Sequence, residues 1–147
     1  MRTSRVFRNR SIIPGVASSL EQRIVEYFGS RADVSAVYLF GSVARGTAGA
    51  GSDVDVAVLF GTAPPRTLNG PRFVLEGELE RVLGTSVDLI VLNEAPVDLR
   101  VRVLREGHLL VDRDRPARLA FEVQTRNEAF DLEPVLARYR AAREPYA

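Results

Sequence analysis

Residues 34–60 read VSAVYLFGSVARGTAGAGSDVDVAVLF, and this stretch decides the fold. Two runs in it, residues 34–40 and 53–60, are rich in β-branched and aromatic residues, which is typical of buried strands. The pair Gly41-Ser42 directly follows the first run and predicts a tight turn. The small residues after this pair predict a short helical turn and then a loop, so the two strands lie close together in the chain.

Strand and helix patterns also alternate outside this stretch. Ser18 or Ser19 is predicted to cap a first amphipathic helix, which Gly29 ends. Asn69, two residues before Pro71, is predicted to begin a second helix that runs to about Leu83. Four apolar residues of this second helix are predicted to face the core: Phe73, Leu75, Leu79 and Val82.

The last third of the chain adds two strands and two helices. The patterns predict strands over 86–92 and 108–111, and helices over 97–106 and 115–143. Pro134 lies inside the last helix and is predicted to break or kink it. We therefore expect an α/β fold, a small mixed sheet of about four strands flanked by helices.

Length and composition limit the class of protein. With 147 residues we expect a basic, mobile leader over residues 1–16 and a single domain over residues 17–147. The sequence contains no long apolar span and no secretory signal, so we expect a cytoplasmic protein that binds no membrane. A net charge of +1 predicts no broad nucleic-acid-binding surface. There is no cysteine and a single histidine, so any metal must be held by oxygen.

Three acids stand on the predicted strands. Asp53 and Asp55 are two residues apart and share one face, while Asp88 follows on the next strand between apolar neighbours. A carboxylate among apolar strand residues is unfavourable unless it is solvated, paired or bound to a metal. If the two strands are neighbours, the carboxylates repel one another until a divalent cation neutralises them. Oxygen ligands suit Mg²⁺ or Mn²⁺, whereas an isolated Asp-x-Asp is more often a turn feature.

The run FGSVARGTAGAGSDVDVAVLF, residues 40–60, resembles the motif of the nucleotidyltransferases related to DNA polymerase beta. In that motif a Gly-Ser pair precedes Asp-x-Asp, here with ten residues between Ser42 and Asp53, and a third Asp follows on a later strand. The short chain and the tail LREGHLLVDRDRPARLAFEVQTRNEAFD, residues 104–131, further resemble the minimal nucleotidyltransferases (MNT) that are antitoxins of HEPN toxins.

The resemblance implies a role for each motif residue. Gly41 and Ser42 would bind the β and γ phosphates of ATP. Asp53 and Asp55 would bridge two Mg²⁺ ions, with Mn²⁺ as a substitute, and Asp88 would complete the shell of the second ion.

Other residues are open to two interpretations. Arg45 either adds positive charge near the triphosphate or is a solvated helix residue, and Ser52 either orients the Asp-x-Asp loop or is simply polar. His108 is predicted to be a surface or strand-edge residue, since it has no acidic neighbour in sequence. Tyr38 and Phe40 are predicted to belong to the core rather than to a platform that stacks on a base.

The resemblance implies an adenylyltransferase that moves AMP from ATP to a hydroxyl, expected to be a tyrosine, of a HEPN ribonuclease toxin. A chain of this size lacks a groove for nucleic acid, so we expect no nucleic-acid substrate. The resemblance implies a complex with the toxin, bound through the final helical segment. Two alternatives stay open. The chain could mask its toxin by binding alone, or it could modify a small molecule such as an aminoglycoside.

Overall fold

A computed structural model describes residues 16–49, 51–65 and 70–143. The elements follow in the order α1 (Val16–Phe28), β1 (Val34–Phe40), α2 (Gly41–Arg45), β2 (Val54–Phe60), α3 (Pro71–Leu83), β3 (Val87–Val91), α4 (Val97–Glu106), β4 (His108–Asp112) and α5 (Arg115–Arg143). The predicted leader lies outside the described residues except for Val16, with which α1 begins. Asn69 also lies outside the described residues.

The four strands form one sheet in the order β3-β2-β1-β4. β1 pairs antiparallel with β2 and with β4, whereas β2 and β3 are parallel. Two parallel neighbours need a crossover connection, and α3 supplies it. The predicted mixed sheet of four strands flanked by helices is therefore confirmed.

Apolar side chains form a core on each face of the sheet. α1 and α3 cover one face, where Ile24 and Leu79 are completely buried. α4, with its buried Val103, and α5 pack on the opposite face. Tyr38 and Phe40 belong to this second core, at 3% and 4% exposure, so their predicted place in the core is confirmed.

Two predictions about the first helices are wrong. α1 begins at Val16 rather than after Ser18 or Ser19, because the first breaker in that direction is the preceding Pro-Gly pair. In α3, Phe73 and Val82 are 50% and 43% exposed instead of facing the core. Only the narrow stripe at every fourth residue reaches the sheet, and it consists of Leu75, Leu79 and Leu83.

The strand and helix ends also differ in places. β2 begins at Val54, so Asp53 lies just before the strand. β3 is one residue shorter than predicted at each end, and β4 is one residue longer at its carboxyl end. α5 runs uninterrupted through Pro134, so the predicted break is wrong. The carbonyl that the proline leaves without a donor belongs to Phe130, which is 80% exposed, so water can satisfy it.

None of the helices in the described part of the chain combines the length and apolar character needed to span a membrane.

Candidate active site

Gly41 places the Gly-Ser turn directly against Asp55. Gly41 follows β1, begins α2 and has a φ of 74°, in the left-handed region that favours glycine. A Cβ atom at this position would lie 2.0 Å from Oδ2 of Asp55. Packing and backbone conformation therefore both require glycine here, and the two halves of the motif meet at this contact.

Asp88 lies beside Asp55 in the sheet. The two residues are aligned in the register of the parallel strands β2 and β3. Aligned residues on neighbouring strands project from the same face, with the strands roughly 4.8 Å apart. Asp53 immediately precedes β2, two residues before Asp55, so all three acids belong to the same end of the sheet. The condition under which the carboxylates were expected to lie together, that their strands are neighbours, is therefore met.

The surroundings of Asp55 disfavour its negative charge. Burial raises the pKa of the Asp55 carboxyl above its ordinary value, and the charges of Asp88 and Asp53 raise it further. Arg102 and Arg45 act in the opposite direction without cancelling the effect. An Asp55 carboxylate in this position is stabilised by added positive charge, which is typical of a functional site rather than of a paired surface charge.

The carboxylates fit a divalent cation that takes some of its ligands from the protein and the others from a substrate. Within residues 16–49, 51–65 and 70–143, no three acidic or histidine side chains are grouped to hold a metal by themselves. Mg²⁺ is commonly bound by one or two carboxylates together with substrate phosphates and water. The half-buried Asp55 next to Asp88 matches that mode of binding. Ligation by all three acids, Asp53 included, stays a prediction.

The remaining motif residues surround the same turn. Ser42 is the second residue of α2 and is half-buried. Arg45 ends α2, and its Nη1 donates to Oε2 of Glu106 at 3.3 Å, so the guanidinium is ion-paired. Oγ of Ser52 accepts a hydrogen bond from the Gly49 amide at 3.0 Å, which orients the loop before β2. The binding of phosphate by these residues stays a prediction.

His108 and Asp88 lie on the two opposite edge strands of the sheet. His108 begins β4, which is an edge strand, so the predicted strand-edge position is confirmed. Its Nδ1 is 3.3 Å from Oε1 of Glu21, a buried residue of α1. The sequence hid this partner because it lies 87 positions earlier in the chain.

Sequence reasoning missed two residues of α4 beside the site. Arg102 lowers the pKa of Asp55, and its Nε lies 3.5 Å from the Glu106 oxygen that also binds Arg45. In sequence, Arg102 and Glu106 form an ordinary pair four residues apart on a helix, which is common on exposed faces. Their place at the site follows only from the packing of α4 against α2.

Side chains of α3 hold the free edge of β3 on both sides of Asp88. Oε1 of Glu80 accepts a hydrogen bond from the Val87 amide at 3.2 Å. Oε2 of Glu76 accepts one from the Leu89 amide at 3.1 Å. An edge strand otherwise leaves such amides open to pairing with another chain. α3 thus fixes the backbone that carries Asp88.

Replacing both Glu76 and Glu80 by alanine should lower the free energy of unfolding by about 2 kcal/mol, because two charge-assisted hydrogen bonds to amides are lost. Urea denaturation measures this change. The matched double glutamine variant keeps an acceptor oxygen at both positions and should lose less. Size-exclusion chromatography should show association of the alanine variant through the freed edge. Equal stability of the alanine and wild-type chains would contradict this account of the strand.

Residues 22–116 match the family described as polymerase beta, nucleotidyltransferase. The match covers well over half of the 147 residues. The chain belongs to this family, and the Gly-Ser turn, Asp53, Asp55 and Asp88 all lie within the matched residues.

Three known proteins are similar to the chain. Protein adenylyltransferase MntA of Shewanella oneidensis is 38% identical over 74 residues, which are 50% of this chain. The chain thus spans about half the length, 51%, of that curated relative. A crystal structure of a toxin-antitoxin with AMP-PNP matches with a TM-score of 0.71 and 27% identity, over 86% of this chain and 98% of that chain. A structure of tri-AMPylated Shewanella oneidensis HEPN toxin in complex with MNT antitoxin shares the fold, with a TM-score of 0.68, 23% identity, and 90% and 100% coverage.

Proposed function

We propose that the chain is an antitoxin-type protein adenylyltransferase that transfers AMP from ATP to a tyrosine hydroxyl of a HEPN-type toxin. The observation that carries the proposal is the contact of Gly41 with Asp55, next to Asp88 in the sheet. This contact joins a turn suited to phosphate with carboxylates suited to a divalent cation. The similarity to a toxin-antitoxin with AMP-PNP supports ATP as the donor and a toxin as the partner.

In the proposed reaction, the hydroxyl oxygen of the acceptor attacks the α phosphorus of ATP. A bond forms between this oxygen and phosphorus, the bond from the α phosphorus to the β-phosphate oxygen breaks, and pyrophosphate leaves. Gly41 and Ser42 bind the β and γ phosphates, and the Arg45 guanidinium offsets their negative charge. Asp88, exposed at the start of edge strand β3, is accessible to the acceptor and takes the hydroxyl proton.

Asp53, Asp55 and Asp88 are the residues that would hold Mg²⁺ or Mn²⁺, in the two-metal arrangement of this family. A bound divalent cation supplies positive charge that stabilises the charge developing on the phosphates and favours an ionised nucleophile. The contribution of the chain is electrostatic. Burial of Asp55 beside two other acids makes positive charge favourable at this point of the sheet.

The first half of α5 is anchored to the body of the protein by a buried ion-pair network. Nε of Arg118 lies 2.8 Å from Oδ1 of Asp112, and its Nη1 lies 2.8 Å from Oε1 of Glu122. The same Glu122 oxygen accepts the Tyr38 hydroxyl at 3.0 Å. All three nitrogens of the Arg118 guanidinium donate to these two carboxylates, so the direction in which the rest of α5 leaves the domain is fixed.

The second half of α5 is the proposed toxin-binding segment. Every residue from 130 to 143 is exposed, including large apolar side chains. Phe130 and Tyr139 are 80% and 68% exposed. Leu132, Val135 and Leu136 are each at least 40% exposed. Leu132, Val135, Leu136 and Tyr139 are spaced three or four residues apart and form one exposed apolar face, whereas Phe130 lies on the opposite side of the helix. An exposed apolar helix face of this kind is typical of a protein-binding surface.

Changing both Leu136 and Tyr139 to alanine should weaken toxin binding by about 100-fold, since a few exposed apolar anchors on one helix face dominate such interfaces. Thermal unfolding of the free chain should hardly change, because neither side chain belongs to the core. The matched control is Phe73→Ala, which removes a half-exposed aromatic side chain from α3. Calorimetric titration with the purified toxin measures the affinity of the wild type, the double variant and the control. Undiminished binding by the double variant would place the interface elsewhere.

Incubation of the chain with labelled ATP, Mg²⁺ and the HEPN partner tests the proposed reaction. Label and the mass of AMP should appear on the partner, and the double variant Asp53→Ala, Asp55→Ala should transfer none. The exposed face of α5 also fits an antitoxin that masks its toxin by binding alone. In that case the double variant would still neutralise the toxin. Label on an added aminoglycoside rather than on protein would favour a small-molecule acceptor.

A further inference from the structure

Two arginines from different helices lie close together beside the Gly-Ser turn. Arg45 comes from the end of α2, the short helix that begins with Gly41 and Ser42, and Arg102 comes from the middle of α4. α4 packs against α2, which brings the two side chains to the same Glu106 carboxylate. Their side chains are 44% and 50% exposed, which leaves both accessible to a ligand from solvent.

Glu106 joins these two arginines through one atom. Its Oε2 lies 3.3 Å from Nη1 of Arg45 and 3.5 Å from Nε of Arg102. Two guanidinium groups this close repel each other unless an anion lies between them. The Glu106 carboxylate supplies that anion and keeps the two groups together on the same side of the site.

We propose that Arg102 is a second phosphate-binding arginine beside Arg45. Glu106 positions the two as a pair for the β and γ phosphates of a nucleoside triphosphate. The inference rests on the proposed function only in taking a nucleoside triphosphate as the ligand. Guanidinium groups donate two parallel hydrogen bonds to phosphate oxygens, and two of them match a group with two neighbouring phosphates. The pair would also stabilise the charge that collects on the leaving pyrophosphate.

The pair distinguishes ATP from AMP, because AMP lacks the two phosphates that the arginines would bind. Calorimetric titration of the full chain with ATP and with AMP, both in Mg²⁺, tests this directly. Arg102→Ala should weaken ATP binding by about 10-fold, the loss of one charge-assisted contact, and AMP binding by less than about 2-fold. Arg102→Lys keeps the charge without the fork and should recover part of the ATP affinity.

Arg105→Ala is the matched control for charge. Arg105 lies on the same helix, is 73% exposed and approaches only the other oxygen of Glu106, at 4.0 Å. This variant removes the same charge and should keep ATP affinity within about 2-fold of the wild type, because exposed, screened charges contribute little.

Two variants of Glu106 test its positioning role. Glu106→Gln keeps an oxygen for both guanidinium groups, and Glu106→Ala removes it. We expect the ratio of ATP to AMP affinity to fall by about 5-fold in the alanine variant and by less in the glutamine variant, which keeps an acceptor oxygen but loses the negative charge between the two guanidinium groups. A purely structural role would lower the melting temperature and leave this ratio unchanged, and that result would overturn the assignment of Glu106.

Equal loss of ATP and AMP affinity in Arg102→Ala, or no loss of either, would overturn the assignment of Arg102. So would a wild-type chain that binds no ATP. A chain that binds ATP through Arg102 but labels no partner protein would support the inference and overturn only the proposed function.

Discussion

Gly41→Ala is expected to lower AMP transfer by about 100-fold, since a displacement near 1 Å at a reacting site has effects of this size. The new methyl group would lie 2.0 Å from Oδ2 of Asp55, so either the carboxylate or the turn must move. The backbone must also keep a φ of 74°, which should lower the free energy of unfolding by about 1–3 kcal/mol. Initial rates of transfer and urea denaturation measure the two effects.

Gly46→Ala separates the contact from the backbone strain. Gly46 has a φ of 72°, but a Cβ there has no other atom within 4 Å. This control should lose stability to a similar extent and retain most of its transfer activity. If both alanine variants kept the same activity, the contact of Gly41 with Asp55 would have no part in the reaction.

Asp55→Asn should lower AMP transfer by about 1000-fold or more, because a cation-binding charge at the reacting phosphates is removed. The same change should make the fold more stable at neutral pH. Burial, Asp88 and Asp53 raise the pKa of Asp55, so the folded chain binds its proton more tightly than the unfolded chain. The ionised carboxylate therefore destabilises the fold above that pKa, and the amide does not carry this charge.

The pH dependence of stability tests whether the Asp55 charge destabilises the fold. The stability advantage of Asp55→Asn should shrink as the pH falls through the pKa of Asp55, where the wild-type carboxyl becomes neutral as well. Asp98→Asn is the matched control. Asp98 lies in the first turn of α4, where its charge interacts favourably with the helix dipole, so its neutralisation should slightly lower stability. A less stable Asp55→Asn at neutral pH would contradict the electrostatic account.

Much of the fold followed from residue periodicity. Alternation with a period of two placed Asp55 on one strand face, whereas its position next to Asp88 depends on the pairing of β2 with β3, which the register shows. The bounds of α4 and α5 also agree with their predicted ranges. Periodicity was less informative about α3, where Phe73 and Val82 are apolar but exposed, because it does not show how wide a stripe the neighbouring elements cover.

Contacts between distant segments could not be predicted in this way. Glu21 meets His108, and Glu106 joins Arg45 to Arg102, although nothing in the local pattern of these residues distinguishes them from solvated charges. The ion pair of Arg45 with Glu106 joins two helices and could not be predicted either, and a role of Arg45 near the triphosphate stays a prediction.

By itself, the sequence determined the order of strands and helices along the chain and the family, because these depend on local spacing. The pairing of β2 with β3, which brings Asp88 next to Asp55, depends on the tertiary structure. The tertiary structure decided which charges surround Asp55 and why residue 41 must be glycine. It also showed that the second half of α5 remains exposed. Those features depend on how whole elements pack, and packing joins residues that are far apart in the chain.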